Sequence, residues 1–580
     1  MRGFVKSVCF ALCLVFISGF SYAQEAPVLS FKATSQPILG MNGMVVSVET
    51  NASEAGLEIL KQGGNAVDAA VATGFALAVT HPSAGNIGGG GFMMVYLSAL
   101  DKTLAFDYRE MAPALSHRDM FLDANGKVDN AKARSSLAAT GVPGTVAGLV
   151  HIQEKYGNLS LKQVMQPAIH LAEKGFNISW SLHASLSYRQ SKLKPDAASA
   201  GYFYKADGSL YQPGDLWVQS DLAHSLKLIA DKGAKGFYEG ETADKIVAAM
   251  KAGAGLITHE DLKNYKVVER QAISGTFKGH KIVSMPPPSS GGVHMIQMLN
   301  ILEGYDLKAM GHNSAAYVHR LNESMRYAYA DRSKYLGDAD FVDVPVKALI
   351  DKAYAASIRA KINPDIATRS SDVSPAKKLP YESDETTHYS VADKFGNVIS
   401  STYTLNAGFG NGKSVAGAGF LLNNEMDDFS SKPGAPNSYG LVGGEANAIE
   451  SGKRPLSSMT PTIVFKDGKP FIATGTPGGS TIITNTMQQV LNMIAFDMNP
   501  MEANVAPRIH HQWLPDMLFL EPGFSPDTIN ILQKMGHKIP RRNGEIRTRV
   551  IGSVQTIMIK DGVLQGADDP RSGTSHAAAY

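Results

Sequence analysis

At positions 384–393 the chain reads DETTHYSVAD. Two adjacent hydroxyls, Thr386 and Thr387, follow a charged, proline-bearing stretch and open a run with strand character. A threonine is ordinarily a packing or capping residue. Cleavage of the preceding peptide bond would open a second role. The new N-terminal threonine carries its own α-amine, whose reference pKa of ~8 suits a general base to the hydroxyl at neutral pH. Such a nucleophile needs neither a cysteine nor a separate histidine. The preceding charged stretch would be accessible to a cut. Residue types alone do not choose between Thr386 and Thr387.

Four other stretches could carry chemistry. In TGTPGGST (474–481) a strand gives way to Pro-Gly-Gly and a helix starting near Ser480. Backbone N–H groups at such a start can face an anion, although an ordinary helix cap is the default. Gly88–Gly91 run into Phe92-Met93-Met94-Val95 rather than into Lys-Ser/Thr and a helix, so close packing is expected there, not a phosphate cradle. His510 and His511 are adjacent and point apart on any regular element, which suits structure better than a metal site. Ser289-Ser290 in PPPSSGGVH lack a G-x-S-x-G elbow and read as a rigid loop capping the helix GGVHMIQMLNIL.

The elements that must position these groups are legible in outline. Residues 51–80 form two helices, with Gly63-Gly64 as a stop and Asn65 as a cap. From about 145 to 360 the pattern is mostly helical, interrupted by β-like ISGTFKGHKIVSM at 273–285. Residues 371–385, SDVSPAKKLPYESDE, are an exposed, flexible connection. Beyond them come a hairpin turning across Asp393–Asn397, two hairpins over Lys-Asp-Gly, and one helix at 481–496. Strands at both ends and helices through the middle suit a layered α+β sandwich around a mixed or antiparallel sheet core.

The 580 residues suffice for a large core. The first 23, with Arg2 and Lys6 before an apolar run ending Ser21-Tyr22-Ala23, read as a cleaved secretory leader. Its removal takes both cysteines, Cys9 and Cys13, which excludes disulfide and thiolate chemistry from the mature chain. It also leaves acidic and basic residues balanced, so neither nucleic acid nor an anionic membrane is expected as a partner. An exported, soluble protein is expected.

Several segments, in order and spacing, resemble the gamma-glutamyltransferases. They are GNAVDAAVA (64–72), FDYREMAP (106–113), TTHYSV (386–391), TLNAGFG (404–410), NNEMDDF (423–429), KRPLSSMTPT (453–462), TPGGS (476–480) and DPRSG (569–573). The resemblance covers essentially the whole mature chain. It implies the four-layer αββα sandwich of the N-terminal nucleophile hydrolases. It also implies a precursor that cuts itself between Glu385 and Thr386 into a large subunit, 24–385, and a small one, 386–580, which form a heterodimer sharing one core. Thr386 would then attack the γ-carbonyl of glutathione or another γ-glutamyl compound and pass the acyl group to water, an amino acid or a dipeptide. No cofactor and no metal are implied.

The same resemblance assigns the remaining roles. Arg109 would clamp the donor's α-carboxylate, with Ser457 and Ser458 donating to it. Asn406, Glu425 and Asp428 would receive the α-ammonium, and Thr404 would hydrogen-bond beside the nucleophile. Gly478 and Gly479 would supply the oxyanion hole. PGAPNSYGLVGG (433–444) would form a lid with Tyr439 as its shielding aromatic. At position 425 many bacterial members carry glutamine and animal members glutamate. A cephalosporin or glutaryl acylase on the same scaffold is the nearest rival, disfavoured by the lid and the ammonium acceptors. A periplasmic solute-binding protein would give no reason for a threonine after a cleavable loop.

Overall fold

The computed structural model describes residues 35–373 and 386–580. The leader at 1–23, Glu385 and all but the first three residues of the 371–385 connection lie outside the described residues.

The architecture grows from the hairpin that Thr386 precedes. Strand Thr387–Asp393 pairs antiparallel with Val398–Thr404, Thr387 opposite Tyr403, and the chain turns across Asp393–Asn397 as expected. One carboxylate oxygen of Asp393 accepts the N–H groups of Phe395 and Asn397, both at 2.9 Å. The other accepts the Ala66 N–H at 2.7 Å, tying the turn to the N-terminus of helix Ala66–Thr80. That helix carries the predicted Asn65 cap, completed by Asp68 into a capping box.

The hairpin sits inside a seven-stranded antiparallel sheet. Its strand order is His576–Ala579, Gly43–Ser47, Thr387–Asp393, Val398–Thr404, Gly90–Leu97, Lys102–Tyr108 and Val268–Arg270. A second seven-stranded antiparallel sheet runs Ile38–Gly40, Val563–Ala567, Gln555–Lys560, Lys469–Gly475, Thr462–Lys466, His280–Ser284 and Ile273–Phe277. Both Lys-Asp-Gly hairpins are present here, with Asp467/Gly468 and Asp561/Gly562 at positive φ, as their tight turns demand. The 273–285 interruption is this sheet's edge hairpin.

Period-two alternation sends the two faces of each strand into different layers. Phe92, Met94, Ala392, Ile463, Ala473 and Ile557 fill the space between the sheets. Fully burying Phe92, Met94, Ile463 or Ile557 stabilises the fold by about 1.5–3 kcal/mol each. On the outer face of the first sheet, Met93, Tyr389 and Val391 pack into the helices Thr50–Lys61, Ala66–Thr80 and Thr145–Tyr156. On the outer face of the second, Ile472, Val464 and Met558 meet helices Gly291–Leu302, Ala315–Tyr335 and Thr481–Ala495. The order is helices, sheet, sheet, helices: the αββα sandwich expected, with a core that is antiparallel rather than mixed.

Gly88–Gly91 serve packing, as read. Gly90 and Gly91 lie opposite Thr404 and Tyr403, and a Cβ on either would sit 2.5 Å from a neighbouring strand's carbonyl oxygen. The absence of side chains here lets the end of strand Val398–Thr404, and so Thr404, seat closely. One capping expectation holds and one is corrected: the Ser289 hydroxyl accepts the Gly291 N–H at 3.0 Å at the start of helix Gly291–Leu302. Ser290 stands beside it and its own hydroxyl makes no cap bond. It donates to the Ser457 carbonyl at 2.7 Å, and Ser289 donates to the Met459 carbonyl at 2.6 Å. This loop therefore braces the 457–459 segment. Ser480 likewise leaves helix Thr481–Ala495 without a side-chain cap, because its hydroxyl binds Gln512 at 2.7 Å. Among the described residues no helix is long and apolar enough to cross a membrane.

Candidate active site

Thr386 stands one residue before its strand, nearly buried, with its hydroxyl 3.3 Å from that of Thr404 at the end of the partner strand. Thr404 Oγ1 also accepts the Asn406 N–H at 2.9 Å. The next residue, Thr387, alternates to the other face and is fully buried, its hydroxyl without a hydrogen-bond partner. The two threonines that residue types could not separate are thus separated by the strand's pleat.

One cavity of about 20 Å³ brings Thr386 together with Thr404, Arg109, Asn406, Glu425 and Asp428. Ser457, Ser458, Gly479 and Tyr439 line the same space. Every predicted site residue in the described chain lines it except Gly478, which is adjacent to Gly479 in the same turn. Two larger surface grooves, about 1210 and 1000 Å³, flank the hairpin turn at Asp467 and contain none of these groups.

Charge is sorted within the site. Arg109, delivered by the end of strand Lys102–Tyr108, is fully buried and pairs with Glu425 and, at 2.6 Å, with Asp428. Both acids come from the single short turn Glu425–Asp428. Burial would weaken the Arg109 charge, but the surrounding carboxylates outweigh it and hold the guanidinium protonated. Burial raises the pKa of Glu425 and Asp428, with Arg109 opposing the shift in each. Asn406 is held at φ 71°, its Nδ2 donating to the Asn424 carbonyl at 2.9 Å. Its Oδ1 is buried and without a hydrogen-bond partner, an acceptor in reserve.

The opposite wall is built of donors. Ser457 and Ser458 are buried, and Ser458 Oγ accepts from Arg332 at 3.2 Å. Gly478 and Gly479 take φ values of 134° and 52° at the N-terminal end of helix Thr481–Ala495, a backbone that glycine adopts without strain. The Tyr439 ring lies against Gly479, where a Cβ would overlap it, and its hydroxyl donates to the Asn406 carbonyl. The loop carrying Tyr439 is anchored on the acidic turn: Asn437 Nδ2 donates to Asp428 at 2.9 Å, and Ser438 N–H to Asp427 at 2.9 Å.

Two residues at the site were not singled out from the sequence. Arg332, on the long helix Ala315–Tyr335, reaches both Ser290 and Ser458, and nothing in its helical spacing signals that. Glu110 lies inside FDYREMAP beside Arg109, fully buried, its carboxylate 3.6 Å from the guanidinium. The adjacent histidines prove structural. His510 bonds Thr484 at 2.9 Å and Gln512 at 2.8 Å, while His511 faces Asp516 at 3.3 Å. Elsewhere His319, Glu323 and His537 gather potential ligand atoms within 4.8 Å. The two rings already hydrogen-bond each other at 2.7 Å. Burial, His319 and Arg326 together push His537 down to about 2.

Comparison with known proteins agrees with this geometry. The family described as gamma-glutamyltranspeptidase matches residues 52–579. A glutathione hydrolase proenzyme of Escherichia coli K12 is 51% identical over 96% of this chain and 96% of its own. Among solved structures, a Helicobacter pylori gamma-glutamyltranspeptidase chain is 50% identical, covering 56% of this chain and 93% of that one, with a TM-score of 0.55. A cephalosporin acylase from Bacillus halodurans is 28% identical, covers 94% of this chain and 97% of that one, and superposes with a TM-score of 0.81. By sequence match along nearly its whole length, this chain belongs to the gamma-glutamyltranspeptidase family.

Proposed function

We propose that the protein is a self-processing glutathione hydrolase and gamma-glutamyltransferase in which Thr386 is both the processing and the catalytic nucleophile. In processing, Thr386 Oγ attacks the carbonyl carbon of Glu385, the C–N bond breaks, and water hydrolyses the resulting ester. The products are a large subunit, 24–385, and a small subunit whose new α-amine belongs to Thr386. In turnover that amine accepts the hydroxyl proton while Oγ bonds the γ-carbonyl carbon of glutathione. The oxyanion is stabilised by the Gly478 and Gly479 N–H groups at a helix N-terminus. The amide nitrogen takes the proton and leaves as cysteinylglycine. Water, or the amine of an amino acid or dipeptide, then attacks the γ-glutamyl ester and frees Thr386. The leader supports a periplasmic location.

The observation that carries this reading is the sorted charge around Thr386. A γ-glutamyl donor ends in one carboxylate and one ammonium. Arg109 with Ser457 and Ser458 suits the first; Glu425, Asp428 and the reserve acceptor of Asn406 suit the second. The arginine and the acids pair with each other, so donor binding exchanges internal ion pairs for external ones rather than desolvating charges afresh. The acylase reading shares the scaffold, but a glutaryl donor has no ammonium for the acids to receive.

The test is a γ-glutamyl anilide assay beside the matching glutaryl anilide. The purified protein is expected to release aniline from the first and far less from the second. Thr386→Ala is expected to abolish release. Equal rates on both donors would favour the acylase reading, and a fully active Thr386→Ala would remove the nucleophile assignment.

A further inference from the structure

We propose that Glu110 and Glu425 hold one proton between their carboxyl groups, which makes Glu110 a positioning residue for the charged end of the donor. The inference rests on the γ-glutamyl reading only where it concerns the donor.

Both residues are 0% exposed. Neither oxygen of Glu110, nor Oε2 of Glu425, receives a hydrogen bond from any other side chain or backbone of the described residues. The two carboxyl groups face the same guanidinium nitrogen, Arg109 Nη1, Glu425 bonded to it and Glu110 3.6 Å away. Were both ionised, two negative charges would touch in a dry interior with three anionic oxygens short of a donor, a costly arrangement. One shared proton turns that repulsion into a strong hydrogen bond and gives the orphaned oxygens a donor.

The surroundings set the charge count. Arg109 faces both carboxyls, and Asp428 faces Arg109 from the same turn as Glu425. Arg332, from helix Ala315–Tyr335, adds a cation felt at Asp428 and Arg109. Tyr108, Tyr238 and Tyr265 pack near Glu110 as neutral phenols, each raised by burial. With the pair singly protonated, two cations balance two anions. Burial raises both carboxyls against the pull of Arg109, Glu110 to about 7 and Glu425 well above its ordinary value, so near neutral pH Glu110 ionises first while Glu425 keeps the proton between them. That ionisation adds a negative charge beside Arg109, which binds the guanidinium more tightly and repels the donor's α-carboxylate.

The pH dependence should therefore appear in KM rather than in kcat, which follows the Thr386 amine. Between about pH 6 and 8 the KM for a γ-glutamyl anilide is expected to rise, by at most tenfold per unit once pH passes the pair's transition. Glu110→Gln and Glu425→Gln should each flatten that rise, and the double variant should add nothing further. A purely structural Glu110 would lower activity or stability without moving the KM profile. Infrared spectroscopy of the unmodified protein supplies an independent arm: a protonated-carboxyl C=O band should weaken between about pH 6 and 8 yet persist above about pH 7, and should change in both single variants. A wild-type KM flat across this range, a Glu110→Gln profile that keeps the rise, or the absence of the band overturns the proposal. If no γ-glutamyl compound is turned over, the functional reading fails, and the infrared band alone still decides the proton.

Discussion

At the scale of single residues, the site is a set of opposed charges kept dry by side chains that hold one another. Arg109 is its hinge, because its planar fork reaches Glu425 and Asp428 at once while Nε donates to the Pro455 carbonyl at 3.2 Å. Lysine keeps the charge and loses the fork. Arg109→Lys is therefore expected to raise the donor KM by about 10- to 100-fold, the worth of one lost charged hydrogen bond at about 1.5–3 kcal/mol, with a smaller effect on kcat. Steady-state kinetics on a γ-glutamyl anilide checks this; an unchanged KM would take Arg109 out of donor recognition. Arg109, Asn406, Glu425, Asp428 and the two serines were legible because their motifs carry them. Glu110 was in view inside one of those motifs, yet nothing in a linear string marks an acid as lacking a donor. Arg332 was invisible, since its partners Ser290 and Ser458 are 42 and 126 residues away.

At the scale of elements, function depends on two loops anchored at several points. The loop carrying Tyr439 is fastened at Asn406, Asp427 and Asp428, beside the acids proposed to receive the donor's ammonium. Tyr439→Phe removes one of these fastenings, worth about 0.5–1.5 kcal/mol. Amide hydrogen exchange over 433–444 is expected to quicken by about 2- to 10-fold while the sheets stay protected. Unchanged exchange would mean that the ring packing, not the hydroxyl, holds the lid. The DPRSG segment forms the second anchor. Asp569, fully buried, receives Arg508 at 2.5 Å, Arg571 at 3.1 Å and the Val554 N–H at 2.8 Å. Asp569→Ala leaves the buried Arg508 without its carboxylate partner and is expected to cost about 3–5 kcal/mol in urea unfolding. A loss below about 1 kcal/mol would contradict that role. Strands, hairpin turns and the Asn65 cap were readable because local propensity and turn chemistry set them. The cap at Ser480 was misread because a distant partner, Gln512, claims that hydroxyl.

At the scale of the whole molecule, residues before and after Thr386 are interleaved rather than set side by side. Strand Thr387–Asp393 lies between Gly43–Ser47 and Val398–Thr404, and Val398–Thr404 pairs in turn with Gly90–Leu97. A cut before Thr386 would therefore leave both pieces sharing two sheets and their common core, so processing need not loosen the fold. This pairing order could not be read from composition or periodicity, because strands far apart in sequence choose partners through the core they bury. The account rests most heavily on where that cut falls. Intact-mass measurement with N-terminal sequencing of the purified protein is expected to find a smaller chain beginning at Thr386 and ending at Tyr580. The same measurement on Thr386→Ala should find one uncut chain. A smaller chain beginning anywhere else, or a Thr386→Ala protein cut as the unmodified one is, would contradict the central claim.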